Sequence, residues 1–116
     1  MKYEPIKEYT DKEIMDILYH GSDTELKILP LSVGEFHINC QFAQDVCFLL
    51  MENSDEDIRA NAILGLSYIA RRYNKLDTKK MKLLLTKQQT FSKRNLERVK
   101  YALEDISLFL SENIEL

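Results

Sequence analysis

Two cysteines and two histidines are the residues of this chain best suited to metal binding, redox work or nucleophilic catalysis. Cys40 and Cys47 stand seven positions apart in a segment with helical periodicity. At helical rise that separation is about 10 Å along the axis, beyond the reach of a disulfide. They read as two small buried hydrophobes of a protein kept in a reducing compartment. His20 and His37 sit in different segments near expected helix ends, and neither lies at metal-ligand spacing from a cysteine. A surface or capping role is expected for each. The sequence holds no Gly-x-Ser-x-Gly, no His-Glu-x-x-His and no phosphate loop, and Gly21, Gly34 and Gly65 are isolated. These types and spacings point away from an enzyme. No catalytic residue, metal, cofactor or small-molecule substrate is expected, and the function is sought in binding.

The elements that would carry a binding surface follow from composition. The 116 residues include 45% hydrophobic and 30% charged side chains, the balance of a globular chain able to bury a core without staples. One α-helical domain over 1–116 is expected, with an irregular segment at 1–10. Three glycines and two prolines are few, which favours helices over turn-rich sheets. The N-terminus is polar, without an apolar signal core, and no apolar run approaches the roughly 20 residues of a membrane span. A cytoplasmic protein with no membrane contact is the expectation.

Periodicity predicts about six helices in three antiparallel pairs. Thr10-Asp11 with Glu13 opens the first, carrying Ile14, Ile17 and Leu18 and stopped by Gly21. Ser22 or Asp23 caps the second, with Leu26, Leu29 and Val33 inward. Pro30 should kink or shorten this helix and Gly34 should end it. The third is expected over 38–52, with Phe42, Val46, Leu49 and Leu50 as its stripe. Asn53-Ser54-Asp55 makes the turn into a fourth helix running to Tyr73, with Ile58, Ala62, Gly65, Leu66 and Ile69 on its face. Asp77-Thr78 caps a fifth, with Met81, Leu84 and Leu85 inward. Thr86 to Thr90 is polar and prone to fray. Ser92 caps a sixth over about 93–112, lined by Leu96, Val99, Leu103, Ile106 and Leu110.

The second helices of the pairs share an aliphatic residue followed by a base: Leu26-Lys27, Ile58-Arg59 and Val99-Lys100, at spacings of 32 and 41 residues. Around the middle pair the leucine pair Leu49-Leu50, the acidic turn Asn53–Asp57, Ile58-Arg59 and the small residues Ala62 and Gly65 resemble a HEAT repeat over residues 44–70. The resemblance implies a short HEAT-like α-solenoid, with the Arg59 stem over apolar surface and its head toward carboxylates in the turns. Ala62 and Gly65 would let the helices of a pair approach closely. Pro30 and Leu103 depart from the pattern, and a compact orthogonal bundle is the alternative architecture.

Charge gives the surface its shape. The formal net charge of −3 is distributed as −8 over 1–70, +9 over 71–100 and −4 over 101–116. A helical stack turns such blocks into patches, and repeat stacks work by binding macromolecules. A small acidic helical protein without catalytic motifs resembles, by type, the bacterial immunity proteins that neutralise a cognate toxin, including those of contact-dependent growth inhibition. That resemblance implies a basic toxin domain as the protein partner, a nuclease among the options. Glu13, Asp16, Asp23, Glu25, Glu56 and Asp57 are the expected docking carboxylates and Tyr68 the aromatic anchor. The alternative is a nucleic-acid backbone held by Arg71, Arg72, Lys75, Lys79, Lys80, Lys82, Lys93, Arg94 and Arg98. A generic adaptor or scaffold would use the same acidic surface.

Overall fold

Helix-start chemistry is written into the chain, and the computed structural model, which describes residues 6–87 and 90–116, realises it at nearly every position named above. Among the described residues there are six helices and no strands: α1 Asp11–His20, α2 Asp23–Phe36, α3 Cys40–Leu50, α4 Glu56–Tyr73, α5 Thr78–Thr86 and α6 Lys93–Leu110. Thr10 with Glu13, and Ser22 with Glu25, form full capping boxes at α1 and α2. Asn39, Asp55 and Asp77 accept backbone N–H groups in the first turns of α3, α4 and α5. At α6 the expected cap does not form: the Ser92 side chain makes no capping bond. Of the irregular segment expected over 1–10, residues 6–10 carry no helix or strand and 1–5 lie outside the described residues; of the stretch 86–90 expected to fray, Thr86 ends α5 and 88–89 lie outside the described residues.

The helices form two layers. In the first, α2, α4 and α6 run side by side in one direction. Lys27 near the start of α2 meets Asp57 and Asn61 near the start of α4. At the far ends Glu35 pairs with Arg71, and Tyr73 donates its hydroxyl to the His37 carbonyl. From α4 to α6 the same order holds, with Asp57 against Arg94 and Asn61 against Arg98. In the second layer α3 and α5 run together, Gln44 accepting from the Asp77 N–H and Phe48 lying under Lys80. α1 returns antiparallel along α2, its first turn tied to the end of α2 through Asp11 and His37. No helix among the described residues is long and apolar enough to cross a membrane.

α4 is the hub, packed on α2, α3 and α6. Its Ile58, Ile63, Leu66 and Ile69 are fully buried, each contributing about 1.5–3 kcal/mol by burial. A helix with so many neighbours is apolar or small on most sides, and Ala60, Ala62 and Ala70 fill the remaining interior positions.

Further expectations change. Leu49, expected in the apolar stripe of α3, is 57% exposed. Gly34 does not end α2, which runs on to Phe36 and is capped by His37. The reason is packing: a Cβ on Gly34 would lie 2.5 Å from the Gly65 carbonyl oxygen, and one on Gly65 would lie 2.4 Å from the Pro30 carbonyl oxygen. The two glycines allow α2 and α4 to touch backbone to backbone, so Gly65 serves this crossing as well as the approach of Cys47 from α3. Pro30 sits inside the 14-residue α2 without shortening it. Nearby, the Lys27 carbonyl accepts from Asn61 Nδ2 at 2.9 Å, tying the stretch before the proline to α4. Arg59 is buried as expected, over the Phe91 ring, but its head finds the Asn53 and Ser54 carbonyls instead of carboxylates.

Gly34→Ala and Gly65→Ala should each destabilise the fold by about 1–3 kcal/mol, and Gly65→Leu by more, because backbone has nowhere to yield. The measurement is the urea midpoint at unchanged slope. A midpoint equal to wild type in both alanine variants would show that α2 and α4 do not cross on these residues.

Candidate protein-binding surface

Two kinds of carboxylate emerge from the residues singled out by charge. Glu56 and Asp57 open α4, next to the first turn of α6. Asn95, fully buried, donates through Nδ2 to Glu56 Oε1 at 2.8 Å and to Asp57 Oδ1 at 2.7 Å. Its Oδ1 accepts from Arg98 Nη1 at 2.9 Å, so the amide is satisfied on both sides. The Ser92 N–H, which found no cap of its own, donates to Glu56 at 2.8 Å. Arg94 pairs with Asp57 at 2.7 Å and Lys27 approaches it at 3.7 Å. Arg98 also donates to Asn61 Oδ1, and Asn61 in turn holds α2. The result is a polar ladder across three parallel helices. The Asn95 amide, followed by the Ser92 N–H, holds the Glu56 carboxyl below its ordinary value of 4.5. Asn95 with Arg94 and Lys27 does the same for Asp57 below 3.8.

Of the remaining carboxylates of the expected set, Asp16, Asp23 and Glu25 lie on the second half of α1 and the start of α2, while Glu13 sits in the first turn of α1, where Lys7 approaches it at 3.7 Å. Glu13 and Glu25 are the far halves of the two capping boxes, and the Thr10 N–H, ahead of the other contacts, holds Glu13 below its ordinary value. Asp16 and Asp23 are exposed and make no ion pair among the described residues. Between them the outward stripe of α1 presents Met15 and Tyr19, the latter 74% exposed. An exposed aromatic among unpaired carboxylates fits a docking patch, since tyrosine offers large contact area at small entropic cost. Tyr19 was passed over in the sequence as one more residue of a helical period. Its position opposite Ile14 and Ile17 was the available signal. Tyr68, the expected anchor, is half-buried, with the Arg71 guanidinium 5.2 Å above its ring.

The basic block divides as well. Arg71 pairs with Glu35, Arg72 donates to the Gly34 carbonyl, Lys82 pairs with Glu112, and Arg94 and Arg98 belong to the ladder. Lys75, Lys79, Lys80 and Lys93 make no ion pair among the described residues. His37 ties the Asn39 N–H to Asp11 through its two ring nitrogens, and the Cys47 thiol, pushed up by burial, points at the Pro30 carbonyl. No group of three His, Cys, Asp or Glu side chains among the described residues could hold a metal ion.

Asn95→Leu should cost about 1–3 kcal/mol by leaving acceptors without donors. Asn95→Asp should cost more at neutral pH, by setting a third carboxylate against two. Because the folded-state values of Glu56 and Asp57 are lowered, their contribution is present above the ordinary values and fades as pH falls through the folded ones. Stability should therefore decline from pH 5 toward pH 3, with a shallower slope in Glu56→Gln/Asp57→Asn. Equal slopes in chemical denaturation series would contradict the ladder.

No family model matches the sequence, and no curated protein matches it. Among solved structures, the fold is similar to a chain of the crystal structure of a CDI complex from Cupriavidus taiwanensis LMG 19424. The two chains are 19% identical with a TM-score of 0.76, and the match covers 94% of this chain and 97% of the other. The shared feature is the helical fold, traced nearly end to end in both.

Proposed function

We propose that this chain is an immunity protein, a bacterial cytoplasmic binding protein that neutralises a cognate toxin domain of the contact-dependent inhibition type. The observation that carries the reading is the nearly full-length structural match to a chain of a CDI complex. The two-layer order, with second helices side by side and first helices outside, supports the HEAT-like resemblance stated above. The acidic α1–α2 end supports a basic partner. Asp16 and Tyr19 are exposed on α1 and Asp23 and Glu25 are exposed in the first turn of α2, a pattern that would speed capture by charge and hold by aromatic burial. A nuclease, with its basic substrate groove, fits that chemistry. Glu56 and Asp57 enter this reading as supports of the patch, since their oxygens are spent on α6 and Lys27.

A second reading, nucleic-acid contact, draws on Lys75, Lys79, Lys80 and Lys93, the lysines left outside ion pairs. With Arg94, Arg98, Arg71 and Arg72 already bonded to groups of this chain, it has fewer unpartnered groups for phosphates than the basic block suggests.

The test is co-expression with the protein encoded immediately upstream. Growth should be arrested by the neighbour alone, restored by this chain, and unaffected by this chain alone. Arrest by this chain alone, or no rescue, contradicts the proposal. In the purified pair, Asp16→Lys/Asp23→Lys should slow association about tenfold at low salt. Tyr19→Ala should speed dissociation about tenfold or more. Salt-sensitive retention of a labelled duplex, lost in Lys79→Glu/Lys80→Glu, would favour the second reading.

A further inference from the structure

The parallel layer ends at α6, whose outward stripe has no helix beside it among the described residues. Glu97, Tyr101, Glu104 and Leu108 recur there at helical spacing, all exposed, with Tyr101 at 69% and Leu108 at 75%. Alongside lies an open groove of about 700 Å³ between α6 and the segment that follows it. The groove is built by specific bonds. Ser111 takes a left-handed conformation (φ 52°), which turns the chain back. Ser107 then clamps the returning segment, its hydroxyl accepting from the Ile114 N–H at 2.9 Å. Ile114 is thereby buried against α6, and Leu103 and Leu108 continue the apolar lining toward Leu116. Glu104 and Glu115 stand on the rim with Lys100 as the single base, while Glu112 is held by Lys82 at 2.7 Å.

We infer that this groove takes a basic amphipathic helix of a protein partner, laid along α6. An apolar floor along a helix axis fits the apolar face of another helix, at the 8–10 Å axis separation usual for packed helices. The charges choose the partner's other face. The segment from 101 to 116 has four acids and no base, and lysines and arginines flanking the apolar stripe would meet Glu104 and Glu115 on the rim. The inference stands apart from the toxin-neutralising reading, which uses the α1–α2 end.

The test uses the purified chain and a labelled designed peptide of about 18 residues, with leucines on one helical face and lysines on the other. Binding is followed by fluorescence anisotropy at about 0.15 M salt and mapped by amide chemical shifts. The expected result is saturable binding, induced helicity in the peptide and shifts confined to 97–116. Leu108→Glu/Glu104→Lys should weaken binding about 30-fold or more, while Ile38→Ala, a charge-neutral change at a site 89% exposed beyond the end of α2, leaves it within about twofold. Equal binding of a scrambled peptide of the same composition would overturn the inference, as would shifts centred on α1. A self-associated chain that Leu108→Glu converts to monomer would also overturn it, by showing a second copy in the groove.

Discussion

The backbone contact between α2 and α4 sets the geometry of everything around it. Gly34 and Gly65 face each other so closely that neither position has space for a methyl group. That approach brings two parallel helices within hydrogen-bond reach of each other's side chains along their length. Lys27 reaches Asp57, Asn61 reaches the Lys27 carbonyl, Arg72 reaches the Gly34 carbonyl, and Tyr73 reaches the end of α2. With α2 so near on one side, α4 has its opposite side free for α6. The hub is then enclosed by buried side chains of α2, α3 and α6, among them Leu29, Val33, Val46, Val99 and Ile106.

The third helix of the layer is joined by polar chemistry as well as apolar packing. Asn95 offers one amide to two carboxylates that open the neighbouring helix, and Arg98 completes the amide on its other side. The like charges of Glu56 and Asp57 are tolerated because a buried donor, a helix N-terminus and Arg94 share them. Much of the charge polarity written along the chain is thus consumed inside the fold. The acidic start of α4 and the basic start of α6 cancel across one interface. Unpaired charge remains on Asp16 and Asp23, on the acids of α6 and the segment after it, and on the lysines near and along α5.

Local features were legible because they depend on near neighbours in sequence. Thr10 with Glu13 and Ser22 with Glu25 are capping boxes whichever tertiary structure surrounds them, and the helical periods of α1, α4 and α6 hold for the same reason. Gly34 misled because a glycine near a helix end has a local meaning, stopping the helix, and a tertiary one, admitting another backbone. Only the position of α4 decides between them. Arg59 was read as a structural residue and is buried, yet its carbonyl partners depend on how the turn at Asn53-Ser54 folds. For Glu56 and Asp57, helix-start chemistry explained their presence, while the pairing with Asn95 spans nearly forty residues and has no local signature. Asn95 itself looked like an ordinary polar residue of a first turn, and Tyr19 gains its meaning from exposure, which periodicity alone left unweighed.

The proposed function rests on one surface, Asp16 and Tyr19 on α1 with Asp23 in the first turn of α2, carried by the helices packed behind it. Hydrogen–deuterium exchange of this chain, free and with the protein encoded immediately upstream, measures that surface directly. The account predicts slowed amide exchange over residues 12–25 on complex formation, with the α4–α6 ladder already slow in the free protein. Unchanged exchange over residues 12–25 in a stable complex, with new protection elsewhere, would contradict it.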